Sequence, residues 1–179
     1  MGCQKCGLCQ TRRQVVFGEG SLDARLMFVS EAPGRDEDFL GRPFVGTSGE
    51  LLTDIIEKGM RVRREDVFIT NVLKCRPPGN RDPLPEEIAA CLPCLERQVA
   101  IVRPRIIVAV GRVAANILTG QNAAPGELRG KWFAWRDVPL TAIYHPSFLL
   151  RMRRSEGRGN RYDRETWADV QMIMRKLGG

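Results

Sequence analysis

Ile106-Ile-Val-Ala-Val110 is a run of five apolar residues that stops at Gly111 and gives way to a short helical pattern over Arg112–Leu118. A strand covered on both faces reads as a continuous apolar run, whereas a half-exposed strand alternates. Three more runs share this character: Arg25-Leu-Met-Phe-Val29, Val67-Phe-Ile-Thr-Asn71 and Leu140-Thr-Ala-Ile-Tyr144. Helical patterns lie between them. Ser48–Lys58 carries apolar residues at Leu51, Leu52, Ile55 and Ile56, and Arg164–Leu177 closes the chain. Pro85–Val102 opens with Pro and two Glu, a favourable helix start. Alternating strands and helices predict an α/β fold of three layers, α/β/α, around a central, mainly parallel four-stranded sheet. No internal repeat or linker divides the 179 residues, so 1–179 is read as a single domain large enough for a sizeable core.

In open α/β sheets, ligands bind beyond the carboxyl ends of the strands. Here those ends read Ser30-Glu31-Ala32-Pro33-Gly34, Asn71, Gly111 and His145-Pro146-Ser147. Three of the four carry polar groups suited to chemistry or recognition. The segments 31–47, 73–84, 120–131 and 151–163 are read as long loops, which in a compact domain are usually functional or disordered. The last holds Arg151, Arg153, Arg154, Arg158 and Arg161 against Glu156 and Asp163 alone.

The net charge is +7, and 23 Arg stand against 5 Lys. Arginine meets phosphate with a planar fork and stacks on bases, so an acidic polymer such as DNA fits as a partner. A generally basic, solvated surface would give the same numbers. No apolar run approaches the length of a membrane span, and the first residues hold no apolar stretch of signal-peptide length. A soluble protein of the cytoplasm, away from membranes, is the expectation.

Six cysteines occur, at positions 3, 6, 9, 75, 91 and 94. Disulfides are rare in a cytosolic chain, and pairs at two-residue gaps point to metal ligation instead. Cys3/Cys6, Cys6/Cys9 and Cys91/Cys94 all have that gap, so spacing leaves the ligand set open. By ligand type, four thiolates suit zinc and a four-iron cluster equally.

Several longer segments agree with one another. They are Val15-Val-Phe-Gly-Glu-Gly20, Glu31-Ala-Pro-Gly34, Gly41-Arg-Pro-Phe-Val-Gly46, Thr70-Asn-Val-Leu-Lys-Cys-Arg-Pro-Pro78, Asn80-Arg81, Gly130-Lys-Trp132 and His145-Pro-Ser-Phe-Leu-Leu-Arg151. In content and order they resemble the family 4 uracil-DNA glycosylases of bacteria and archaea, over nearly the whole chain. The resemblance implies excision of uracil from single- or double-stranded DNA by a monomer. It also implies a [4Fe-4S] cluster held by Cys3, Cys6, Cys75 and Cys91, with Cys9 and Cys94 spare. A non-catalytic iron–sulfur module that recognises uracil, or another deaminated base, without excising it is the alternative.

Glycosidic cleavage requires the base to leave the stack and enter a pocket. The site then needs a stacking surface, an amide that reads the base edge, a donor for the leaving anion and help for water. The resemblance assigns stacking to Phe44. Asn71 would pair with uracil N3–H and O4, an edge on which cytosine reverses donor and acceptor. His145, the sole histidine, would donate to O2 as negative charge develops there. The backbone of Glu31, Ala32 and Pro33 would help hold uracil. Some superfamily branches place an Asp or Asn where this chain has Ala32, so water activation falls to Glu31, with Glu37 as the alternative. Ser147 would bind a flanking phosphate. Leu149, Leu150 or Met152 would wedge into the minor groove, and Arg151, Arg153 and Arg154 would hold phosphates. Ser30 and Arg35 depart from the residues usual in the family, glycine and often an acid.

Overall fold

The computed structural model describes residues 2–124 and 126–178. Six strands form one sheet: β1 (Glu19–Gly20), β2 (Leu26–Ser30), β3 (Phe68–Asn71), β4 (Ile106–Val110), β5 (Phe133–Trp135) and β6 (Val138–Ile143), in the order β1-β3-β2-β4-β6-β5. The inner four strands are mutually parallel, and their residues are the four apolar runs. The sheet is two strands wider than expected. β1 and β5 join its edges antiparallel to β3 and β6, and at two and three residues they are too short to show any periodicity.

Alternate residues of the inner strands enter two separate cores. Leu26, Phe28, Ile106, Val108 and Ile143 meet Leu52, Ile56, Leu149 and Ile173 on one face. Met27, Val29, Ile107 and Ala109 meet Leu95, Val99 and Leu118 on the other. The helices supplying these partners are α2 (Gly46–Asp54), which runs on through a wider turn at Ile55–Gly59, α5 (Pro146–Glu156) and α6 (Arg161–Gly178) on the first face. On the second they are α3 (Pro85–Val102) and α4 (Arg112–Thr119). Three layers result, as the alternation implied.

Two expected loops are partly helical. α1 (Arg35–Leu40) interrupts 31–47. The arginine-rich segment 151–163 is mostly helix: α5 continues to Glu156, and α6 begins at Arg161 rather than Arg164. Pro146 occupies the first turn of α5, where its missing N–H is no loss. Leu149, fully buried, anchors the helix to the core. α3 starts as its sequence suggests: Glu87 accepts the Leu84 N–H at 2.9 Å and pairs with Arg81 at 2.6 Å.

Candidate active site

The chain runs from β2 to β3 on one side of the sheet and later places β4 on the other side of β2. The carboxyl ends of β2, β3, β4 and β6 open into one cavity of about 800 Å³. Glu31, Ala32, Pro33, Glu37, Phe44, Asn71, His145, Ser147 and Arg151 all line it. The site residues expected from the sequence therefore converge, with three exceptions. Leu150 packs against the α2 side of the core, and neither Arg153 nor Arg154 is in the cavity wall. Arg153 donates to Asp163 at 2.8 Å and so ties α5 to α6. Leu149 is 1% exposed, so it cannot wedge into DNA.

His145 precedes α5 and serves as its cap. Its Nδ1 accepts the Ser147 N–H at 3.1 Å and lies 2.8 Å from Ser147 Oγ. An accepting Nδ1 leaves the proton of the neutral ring on Nε2. Burial, reinforced by the nearby Arg151 charge, pushes the imidazole down to about 4 from its ordinary 6.5. The ring is thus neutral at physiological pH, with one donor on Nε2.

Phe44 lies beside this ring, centroid to centroid 5.7 Å with a 31° tilt. Its backbone is left-handed, φ 51°, uncommon for a bulky residue. Two contacts hold it there. Glu37 Oε1 accepts the N–H of the next residue, Val45, at 3.0 Å. Gly49 packs so closely that a Cβ there would fall 1.9 Å from the Phe44 carbonyl oxygen. Glu37 is therefore a latch on the Phe44 loop, with one carboxylate oxygen already engaged.

Asn71 ends β3 and is buried. Beside it, the N–H groups of Val72 and Leu73 donate to the carbonyls of Ser30 and Glu31 at 2.8 and 2.9 Å, which fixes the β2 end against the β3 end. Ser30 Oγ donates to the Val110 carbonyl at 3.3 Å, so this departure from glycine spends its hydroxyl across the sheet. Arg35 stays at the surface beside Asp36. The Glu31 carboxyl is raised above its ordinary range, mainly by burial and further by Asp82, while Arg112 opposes the shift. Asp82 and Arg112 form an ion pair at 3.1 Å on the cavity rim. Sequence reading missed this pair, because the two lie thirty positions apart and only the fold joins them to Glu31.

A second cavity, about 320 Å³, lies between the N-terminal segment and α3. Cys3, Cys6, Cys75, Cys91 and Cys94 line it; Cys9 does not. Among the described residues no three His, Cys, Asp or Glu side chains close on one point as a single ion would need. The sulfurs surround a hollow instead. Arg12 Nη1 donates to Cys75 Sγ at 3.3 Å, and the Lys74 N–H donates to Cys91 Sγ at 3.3 Å. Lys74 is buried with a cationic side chain whose hydrogen-bond acceptors are all uncharged. Anionic sulfur would supply its counter-charge. Room, donors and a buried cation all fit a polynuclear thiolate-bound group.

Geometry and sequence meet in the comparisons with known proteins. The family model described as the uracil DNA glycosylase superfamily matches residues 17–171. A type-4 uracil-DNA glycosylase of Archaeoglobus fulgidus is 47% identical over 158 residues, covering 84% of this chain and 79% of the relative. One of Thermotoga maritima is also 47% identical over 158 residues, covering 86% and 81%. A type-5 enzyme of Pyrobaculum aerophilum is more distant, 34% identical over 148 residues. The chain belongs to the uracil DNA glycosylase superfamily and, within it, to the type-4 family.

Proposed function

We propose that this protein excises uracil from DNA by hydrolysing the N-glycosidic bond, the step that opens base excision repair. The observation that carries the reading is the convergence of Phe44, Asn71 and His145 in one cavity, with His145 Nδ1 already accepting the Ser147 N–H. Uracil enters flipped from the strand and stacks on Phe44. The Asn71 carboxamide accepts from N3–H and donates to O4. Cytosine would leave both groups facing like partners. As the bond breaks, electron density moves onto uracil N1 and O2, and His145 Nε2–H donates to O2. The ring keeps its proton and acts by electrostatic stabilisation. Glu31 faces the sugar side of the reaction, where its carboxylate steadies the oxocarbenium-like centre and orients water. Glu37, bound to Val45, positions Phe44.

Cys3, Cys6, Cys75 and Cys91 would hold a [4Fe-4S] cluster in this reading, and Cys94 also lines the cavity. Its role is to brace the N-terminal segment against α3, and hydrolysis takes place in the other cavity. Ser147 and Arg151 hold phosphates flanking the flipped nucleotide. Leu150, Arg153 and Arg154 on α5 come into play only where the helix meets the groove. In this reading the enzyme acts as a monomer, on single- or double-stranded DNA, in the cytoplasm.

The deciding assay is release of free uracil from a uracil-containing oligonucleotide by purified protein. Release supports the proposal. Binding without release on both single and double strands, with iron present, would instead make the chain a uracil-recognising module. A colourless preparation containing zinc would overturn the cluster assignment.

A further inference from the structure

A buried ammonium needs acceptors for its three N–H groups. Lys74 is 4% exposed. Its Nζ donates to Thr70 Oγ1 at 2.7 Å, to Gln98 Oε1 at 2.6 Å and to the Asn71 carbonyl at 2.5 Å. Gln98 in turn donates to the Phe17 carbonyl at 2.7 Å, and Thr70 Oγ1 donates to the same carbonyl at 2.9 Å. The ammonium thus ties β3 to α3 and to the N-terminal segment.

One of its acceptors belongs to the residue that faces uracil. The peptide joining Asn71 to Val72 directs its N–H to Ser30 on β2. Its carbonyl therefore points the other way, towards the side where β1 pairs with β3. β1 reaches only Phe68 and Ile69. At Asn71 the neighbouring strand has ended, and Lys74 Nζ stands in its place.

We propose that Lys74 is a positioning residue: its ammonium, set by Gln98, substitutes for the missing strand and fixes the Asn71 peptide, so that the carboxamide is already aimed at the uracil edge. The inference rests on the reading of Asn71 as the group that recognises uracil. A small rotation of that peptide would swing the Cα–Cβ bond and misalign both hydrogen bonds to the base. Lys74 acts only through Asn71, so its removal should matter only while the carboxamide is present.

The test is a double-mutant cycle in single-turnover uracil release, using Lys74→Met, Asn71→Ala and the double variant. Inhibition by free uracil, iron content and thermal melting are measured alongside. Lys74→Met is expected to slow release by about tenfold or more and to weaken inhibition by uracil. Adding it to Asn71→Ala should cost less than about twofold further. Equal losses in both backgrounds would show a merely structural lysine and overturn the proposal. A Lys74→Met rate within twofold of the parent would also overturn it. Where Lys74→Met does not yield folded, iron-loaded protein, Gln98→Ala takes its place in the same cycle, and either of those two outcomes then counts against the proposal in the same way. Normal release by Asn71→Ala alone would overturn the role of Asn71 itself, and that of Lys74 with it.

Discussion

His145 does two jobs with its two nitrogens. Nδ1 caps α5, and that bond puts the proton on Nε2, the donor that the proposed mechanism directs at uracil O2. His145→Ala is expected to keep the fold and DNA affinity while single-turnover release falls by about 100- to 1,000-fold, the usual effect of deleting one preorganised donor. Because the folded ring sits at about 4 and the free one at 6.5, folding expels the proton. The stabilisation from this group is fully present above pH 6.5 and is lost as pH falls towards 4. Melting curves between those pH values should decline less steeply in His145→Ala than in the parent. Catalysis has a different acid limb. In the proposed mechanism Glu31 helps water as a carboxylate, and burial with Asp82 nearby raises it above the ordinary carboxylate range. Release should therefore fall on acidification, and Asp82→Asn should move that fall to lower pH. If the limb is unmoved in Asp82→Asn and persists in Glu31→Gln, Glu31 is not the titrating group.

Elements place these residues through contacts that tolerate almost no extra atoms. Gly111, at φ 91°, lies where a Cβ would come 3.0 Å from the Cβ of His145. Gly49 lets α2 slide under the Phe44 carbonyl. Gly49→Ala should displace the Phe44 loop and cut release by at least about tenfold with circular dichroism unchanged; a parent-like rate would detach Phe44 from stacking. Gly111 is legible in the sequence only as the end of β4, because its partner His145 is remote along the chain; Gly49 sits in a helical pattern that gives no hint of the left-handed Phe44 it packs under. The opposite holds for β2, β3, β4 and β6, where burial on both faces leaves a continuous apolar signature. α5 was hidden for another reason. Arg151, Arg153 and Arg154 break any apolar stripe, and the helix is secured by its cap, by Leu149 and by the Arg153–Asp163 bond. Phe44, Asn71 and His145 were legible as a set only because flanking motifs lent them roles. Asp82 and Arg112 lie outside those motifs, and Lys74, inside the Thr70–Pro78 motif, was given no role by it; all three emerge from tertiary proximity. Farther from the cavity, Asp169 is 1% exposed and takes both sides of the Arg129 guanidinium, at 2.9 and 3.0 Å. Asp169→Ala leaves Arg129 only the longer Glu165 pair at 3.8 Å and should destabilise the protein by about 2 kcal/mol, seen as a lowered Tm with little change in release per folded molecule.

Across the whole molecule, the arginine excess sets how the enzyme meets DNA. Arg151 reaches the cavity edge and lies over Phe148. If it holds a phosphate, Arg151→Ala should weaken binding equally for all sequences and reduce the salt slope by about 0.9 on duplex or about 0.7 on single strands. An unchanged slope would remove Arg151 from the backbone contacts. The cysteine cavity belongs to the same scale, since it joins the first residues of the chain to the sheet. Leu8 packs with Leu73 and Cys75, Val16 donates to the Lys74 carbonyl at 2.8 Å, and Arg12 reaches both Cys75 Sγ and the Cys3 carbonyl. Lys5 and Arg12 line that cavity. A cluster of the kind proposed above would tether them; without it, the N-terminal segment is held by a handful of local contacts. Under that proposal, losing the cluster would open these basic residues to trypsin-like proteases, and the protein's half-life in the cell would record whether the site is loaded.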